Sequence, residues 1–183
     1  MKVIPTALAG VLELEPVVHH DERGFFFEAY RADRYRDAGI DVTFVQANHS
    51  RSRQGTLRGL HWQDPPHAQA KLVRVVVGEV FDVAVDIRPG SPTFGRWVGV
   101  TVSAANFRQL FIPVGFAHGF AVLSDIAEVE YLCSDVYDAR AERGLRWDDA
   151  DLAIDWPIRS PIISDRDRRH PSFAELRRQF PRA

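Results

Sequence analysis

The sequence predicts a mainly β protein, a sandwich or barrel of short strands with small helices at its periphery. Three observations carry this. Apolar residues alternate with polar ones, or cluster as β-branched and aromatic types, in many short runs; Gly, Pro, Asn or Ser separates those runs at even spacing; and helical periodicity is confined to two brief segments. The chain has 183 residues, of which 45% are hydrophobic, enough for one core, so a single domain over residues 1–183 is expected.

In chain order, residues 1–9 hold one basic residue and an Ala-x-Ala, as a signal peptide would. Pro5 interrupts an apolar stretch too short for an h-region, and the segment reads as mature protein. Residues 11–18 are the first β-rich run, residues 31–38 a helix closed by Gly39, and residues 43–46 a further strand. Alternation is clearest in residues 73–77 and 81–87, and Gly78-Glu79 between them predicts a β-hairpin. Residues 97–102, 109–112, 120–123 and 128–133 follow as strands. Arg166-Asp167-Arg168-Arg169-His170-Pro171 is rich in charge and reads as a solvated surface turn. Ser172 and Glu175 then have capping-box spacing before Leu176 and Phe180, predicting a last helix that packs, like the first, outside the sheets. There is no internal repeat and no low-complexity tract.

Charged residues make up 26% of the chain with a formal net charge of -2, so no field exists to grip a nucleic-acid backbone. Any anionic ligand must be met locally. A lone cysteine, Cys133, cannot close an internal disulfide, which makes a reducing cytoplasm the expected compartment. No run approaches the roughly 18 apolar residues of a membrane span.

The densest chemistry lies in Gly55-Thr56-Leu57-Arg58-Gly59-Leu60-His61-Trp62-Gln63 and Gln69-Ala70-Lys71-Leu72-Val73. Arg58, His61 and Lys71 there either face solvent or converge on an anion, because cations near a strand are costly to bury unpaired; spacing alone favours solvent. Pro113-Val114-Gly115-Phe116-Ala117-His118 matches the second motif of cupin barrels. Metal-binding cupins add a His-x-His pair and a carboxylate, but the corresponding place here reads His61-Trp62-Gln63, so one histidine is missing and no metal is expected. Tyr131, Tyr137, Asp165 and Asp167 each read, singly, as packing or turn residues, and Cys133 as an inert filler.

Together with Asp21-Glu22-Arg23-Gly24-Phe25-Phe26-Phe27-Glu28, Gln46-Ala47-Asn48-His49-Ser50, Ser91-Pro92-Thr93-Phe94-Gly95-Arg96-Trp97, Trp156-Pro157 and Ser164-Asp165-Arg166-Asp167, these stretches resemble the dTDP-4-dehydrorhamnose 3,5-epimerase family, from about residue 11 to 173. The resemblance implies a cupin-type double-stranded β-helix, or jelly-roll, barrel with a few short peripheral helices. It also implies a homodimer that acts on a dTDP-4-keto-6-deoxy sugar with no metal or cofactor. In the family pattern His61 falls at the catalytic base, Asp167 at its orienting carboxylate, Lys71 beside the enolate and Tyr131 at the proton donor. Substrate-binding positions fall on Arg23, Glu28, Gln46, Asn48, Arg58, His118, Glu142 and Arg166, with Tyr137 where thymine stacks. Arg166 departs from the lysine often found there, and a planar guanidinium is not equivalent to an ammonium.

The implied chemistry suits these residue types. A C4 ketone acidifies the C3 and C5 hydrogens, a neutral histidine can take such a proton near pH 7, and inversion needs an acid on the opposite face. The alternatives are inversion at C3 only, a non-catalytic sugar-nucleotide-binding cupin, and a metal-dependent cupin built on His118.

Overall fold

The computed structural model describes residues 1–179; Phe180, expected in the last helix, lies outside the described residues. The elements are β1 (Lys2–Pro5), β2 (Leu12–Glu15), β3 (His19–Asp21), β4 (Gly24–Phe26), α1 (Ala32–Asp37), β5 (Gln46–Arg53), β6 (Leu57–Gln63), β7 (Lys71–Val77), β8 (Glu79–Asp86), β9 (Trp97–Ser103), β10 (Gln109–Ile112), β11 (Phe116–Val122), β12 (Ile126–Cys133), β13 (Glu142–Gly144), α2 (Asp165–Arg168) and α3 (Phe173–Arg178). Two antiparallel sheets form the body, one of six strands in the order β1-β2-β10-β7-β12-β5 and one of five in the order β13-β6-β11-β8-β9. The mainly β, cupin-like architecture is as expected.

Connectivity within it departs from expectation. Residues 73–77 and 81–87 do not pair as a hairpin: β7 bonds to β10 and β12, whereas β8 bonds to β9 and β11 in the other sheet. Gly78 turns the chain from one sheet into the other at φ 77°, where an added Cβ would lie 2.0 Å from the Ile126 carbonyl oxygen. Alternation identifies a strand but not its partner, and a winding that alternates sheets leaves the same pattern as a hairpin. Residues 43–45 are not strand; β5 begins at Gln46 and runs to Arg53. β11 starts at Phe116, ahead of the expected residue 120.

The alternation also sorts residues between interior and cover. In β8, Val80 and Ala84 point between the sheets, while Val83 and Val85 pack under Leu145, Trp156, Phe173 and Leu176 of the C-terminal segment. Trp156 is fixed there by its indole N–H, which donates to the Trp147 carbonyl at 2.9 Å. Across the molecule α1 covers the outer face of the six-stranded sheet, with Tyr35 packed among Leu14, Leu72 and Phe111. Both terminal helices therefore lie outside the sheets, and α3 has the capping box, Ser172 and Glu175 bonding reciprocally. Between β8 and β9 the buried carboxylate of Asp86 accepts from Arg88, Ser91 and Thr93, which ties down the turn containing Ser91-Pro92-Thr93.

The interior is apolar at one end, where Val75, Val80, Val122 and Val129 meet, and polar at the other. Register puts Lys71, Cys133 and Gln46 in one row across β7, β12 and β5, and Val73, Tyr131 and Asn48 in the next. On the facing sheet His61 and His118 are partners across β6 and β11.

Candidate active site

The polar end opens as a cavity of about 760 Å³ lined on one wall by Gln46, Asn48, Lys71 and Tyr131 and on the other by Arg58, His61 and His118. Tyr137, Glu142, Arg166 and Asp167 close its rim. Arg58, His61 and Lys71 therefore converge, against the solvent reading that spacing alone favoured. Arg23 and Glu28 are not part of this cavity. Arg23 sits on the β3–β4 turn, its exposed guanidinium 2.6 Å from Asp21, and Glu28 pairs with Arg34 at 3.2 Å.

Asp167 reaches His61 although 106 residues separate them. The chain returns to β6 through Ile162, which exchanges backbone bonds with Gly55 and Leu57 at 2.8 and 3.0 Å. Ser164 then caps α2, accepting the Asp167 N–H at 3.1 Å. Residues 166–168 of the charged segment thus belong to a helical turn; Arg166, Arg168 and Arg169 are exposed, as in a surface turn, but Asp167 is 3% exposed and faces His61. Asp167 Oδ1 meets His61 Nε2 at 2.8 Å and Oδ2 accepts the Gly59 N–H at 3.2 Å. Burial by itself would raise this carboxyl, but the nearby His170 and His61 rings and the Gly59 N–H hold it far below its ordinary range.

That carboxylate assigns the proton of His61 to Nε2 and leaves the lone pair on Nδ1. Burial lowers the pKa of His61 from the ordinary 6.5 and outweighs the opposing pull of Asp167, so the ring is neutral at pH 7. Burial likewise lowers Lys71, with Cys133, Asp82 and Glu142 opposing, and it raises Tyr131 so that the phenol keeps its proton. The Lys71 ammonium lies 6.0 Å from the centre of the Tyr131 ring.

The binding candidates form a connected rim. Glu142 accepts from Arg166 at 2.6 Å and from the Tyr137 hydroxyl at 2.7 Å, and the Tyr137 N–H donates to Gln46, which in turn bonds Asn48 at 3.0 Å. Arg58 is braced by Ser52 at 3.0 Å. Gln63, which spacing did not single out, holds the loop carrying Tyr137 by bonding the Val136 carbonyl at 3.1 Å and the Asp138 N–H at 2.8 Å. Asp82 was also missed. It is fully buried and sits 2.5 Å from Nε2 of His118. Its signal was present in β8, where Asp82 and Asp86 share the face of Ala84; in a strand buried on both sides, polar residues on one face mark a site instead of solvent.

Residues 5–175 match the family model described as dTDP-4-dehydrorhamnose 3,5-epimerase. The chain belongs to this family. Among curated relatives, the dTDP-4-dehydrorhamnose 3,5-epimerase of Shigella flexneri is 55% identical over 96% of this chain and 97% of its own length. Among solved structures, the Bacillus anthracis 3,5-epimerase with TDP and PPi bound is 46% identical with a TM-score of 0.92, covering 94% of this chain and 99% of the other. The Legionella pneumophila dTDP-6-deoxy-D-glucose-3,5-epimerase in complex with dTDP-4-keto-L-rhamnose is 48% identical with a TM-score of 0.91, covering 100% and 98%. As a member of this epimerase family the chain is an isomerase, which gives its cavity a reaction to be measured against.

Proposed function

We propose that the cavity inverts C3 and C5 of dTDP-4-dehydro-6-deoxy-D-glucose through an enolate, giving dTDP-4-dehydro-L-rhamnose. The observation that carries this reading is the placement of the candidate base and acid on facing walls: His61 belongs to the five-stranded sheet and Tyr131 to the six-stranded one. A sugar ring lying between them has its proton taken from one face and returned on the other, which is what inversion requires.

His61 Nδ1 takes the proton from the carbon next to the ketone, and Asp167 stabilises the imidazolium that results. The electron pair moves onto the C4 oxygen, where the Lys71 ammonium meets it; burial strengthens that interaction because no water screens it. The Tyr131 hydroxyl then delivers a proton to the opposite face of the same carbon. Each inverted centre thus exchanges one substrate hydrogen for one drawn from solvent. The diphosphate falls to Arg58 and Arg166, whose forked guanidinium groups suit paired phosphate oxygens, and thymine stacks on Tyr137. Gln46, Asn48, His118 and Glu142 supply the remaining polar contacts. The chemistry uses no metal and no cofactor, and residues 1–183 act as one domain.

The enzyme works as a homodimer in the cytoplasm. Arg23 and Glu28, binding positions in the family pattern, stand outside their own cavity, next to the hairpin where Phe25 and Phe26 are 58% and 72% exposed. A second copy covering that hairpin removes the apolar surface from water and brings the two side chains to a site. No helix among the described residues is long and apolar enough to cross a membrane.

Proton NMR of chelator-treated protein with the substrate in deuterium oxide tests the reaction directly. Label entering both C3 and C5, with rhamnose formed once a reductase is added, is the expected result. Label at C3 alone would make the enzyme a C3 epimerase, and saturable binding with no exchange would leave a sugar-nucleotide-binding protein.

A further inference from the structure

The turn that carries Asp167 ends at His170, a residue to which the reaction assigns no part. Its side chain is only 13% exposed. The ring lies so close over Gly144 that a Cβ there would stand 2.4 Å from its Cε1 and Nε2, and it meets the His61 ring edge-on, centroids 5.4 Å apart at 76°. Nε2 of His170 is buried and makes no hydrogen bond. It points at Asp167 Oδ1 from 3.5 Å, the same oxygen that His61 Nε2 approaches at 2.8 Å. Arg166 Nε comes within 3.7 Å of that oxygen, but its guanidinium is held by Glu142 at 2.6 Å. Each of His61, Asp167 and His170 offers a ligand atom, and these atoms lie within 4.8 Å of one another.

We propose that His61, Asp167 and His170 form a binding site for a divalent transition-metal ion, Zn²⁺ foremost, and that occupancy of this site switches the enzyme off. In a tetrahedral zinc shell with bonds of about 2.0–2.1 Å, neighbouring ligand atoms are roughly 3.3 Å apart. The separations of 2.8 and 3.5 Å about Asp167 Oδ1 bracket that figure, and with all three atoms within 4.8 Å of one another the remaining adjustment is a side-chain rotation that draws the two imidazole nitrogens together. Two imidazoles and one carboxylate are a donor set that zinc takes readily, and a fourth position is left for water.

Silencing follows from the tautomer. Metal on Nε2 of His61 moves the remaining ring proton to Nδ1, which removes the lone pair that accepts the substrate proton. It also takes Asp167 away from its orienting role. This consequence rests on His61 being the base; the binding of metal does not.

The test uses chelator-stripped full-length protein titrated with Co²⁺, whose visible d–d absorption reports tetrahedral ligation, and in parallel assayed for turnover in rising Zn²⁺. Wild type is expected to bind one Co²⁺ per chain with a tetrahedral-type spectrum and to lose turnover with zinc, reversibly on chelation. His170→Leu is expected to keep basal turnover, to lose the spectrum, and to need about tenfold or more zinc for the same inhibition, since even partners beyond the ligand shell change metal affinity by that much. His170→Gln and a thermal melt of each variant separate lost ligation from lost folding. No tetrahedral spectrum in wild type, or equal zinc sensitivity in His170→Leu, would overturn the site while leaving the epimerase reading intact. Metal bound through His170 with turnover undiminished would instead overturn the silencing and, with it, His61 as the base.

Discussion

His61 and His118 stand opposite one another across β6 and β11, and each faces an aspartate of its own, Asp167 for the first and Asp82 for the second. The two pairs differ in what surrounds them. Asp167 reaches in from a capped helical turn and is also bonded by backbone, whereas Asp82 stands on a strand, fully buried, with its Oδ2 lacking any hydrogen-bond partner. In the reaction proposed above the first pair serves proton transfer, while the second holds His118 in place within the barrel.

Removing one member of a buried polar pair strands the other, at a cost of about 3 kcal/mol or more. Asp82→Ala is therefore expected to lower unfolding free energy by that amount in a urea titration. KM for the dTDP-sugar should rise as His118 loses its anchor.

His61→Ala should reduce kcat by about 10² to 10⁴, the usual worth of a positioned general base, while dTDP affinity in calorimetry changes little. In the proposed mechanism the base acts in the chemical step, and the nucleotide contacts it assigns to Arg58, Arg166 and Tyr137 are left in place. Turnover retained at the wild-type level would take His61 out of the mechanism.

Tyr131→Phe deletes one hydroxyl from the wall opposite His61. The melting temperature should move little, and inversion should fall by at least about 10². Normal product formation by this variant would require a different acid.

The pH profile of kcat/KM should carry an acid limb whose midpoint lies below 6.5, the ordinary histidine value. The sign follows from burial: a ring that resists charging stays neutral, and hence basic, further into acid. Activity is lost as pH falls through the lowered pKa, because an imidazolium has no lone pair to offer. A midpoint above 6.5 would mean that Asp167 outweighs burial.

Much of the fold was legible because alternation in β8 and β12 and the brevity of the helical pattern are local signals. The path of the chain between sheets was not, since Gly78 as a hairpin turn and Gly78 as a corner look the same in one dimension. For the site, single residues read as bland: Tyr131 as packing, Asp167 as a turn residue, Lys71 as solvated. Resemblance of many motifs in order supplied the constellation that spacing withheld. His170 and Asp82 escaped both routes, one hidden in a run of surface charge and the other in a strand with no wet face.

Gly59→Ala is expected to be costly. Gly59 sits at φ 118°, and an added Cβ would lie 2.5 Å from the Gly119 Cα; a Cβ on Gly119 would lie 2.7 Å from the Arg58 carbonyl. Strain and collision together should exceed about 3 kcal/mol in a denaturation experiment, with loss of turnover alongside.

That contact acts as a ruler. β6 and β11 touch main chain to main chain beside His61 and His118, with the register shifting between His118 and Phe120. The gap between the two histidines is consequently set by the thickness of peptide groups and not by any side chain that selection could enlarge or trim. Room for change is left at the rim, where Tyr137, Glu142 and Arg166 meet only through their side chains, while the spacing of the imidazoles stays constant for as long as both glycines do.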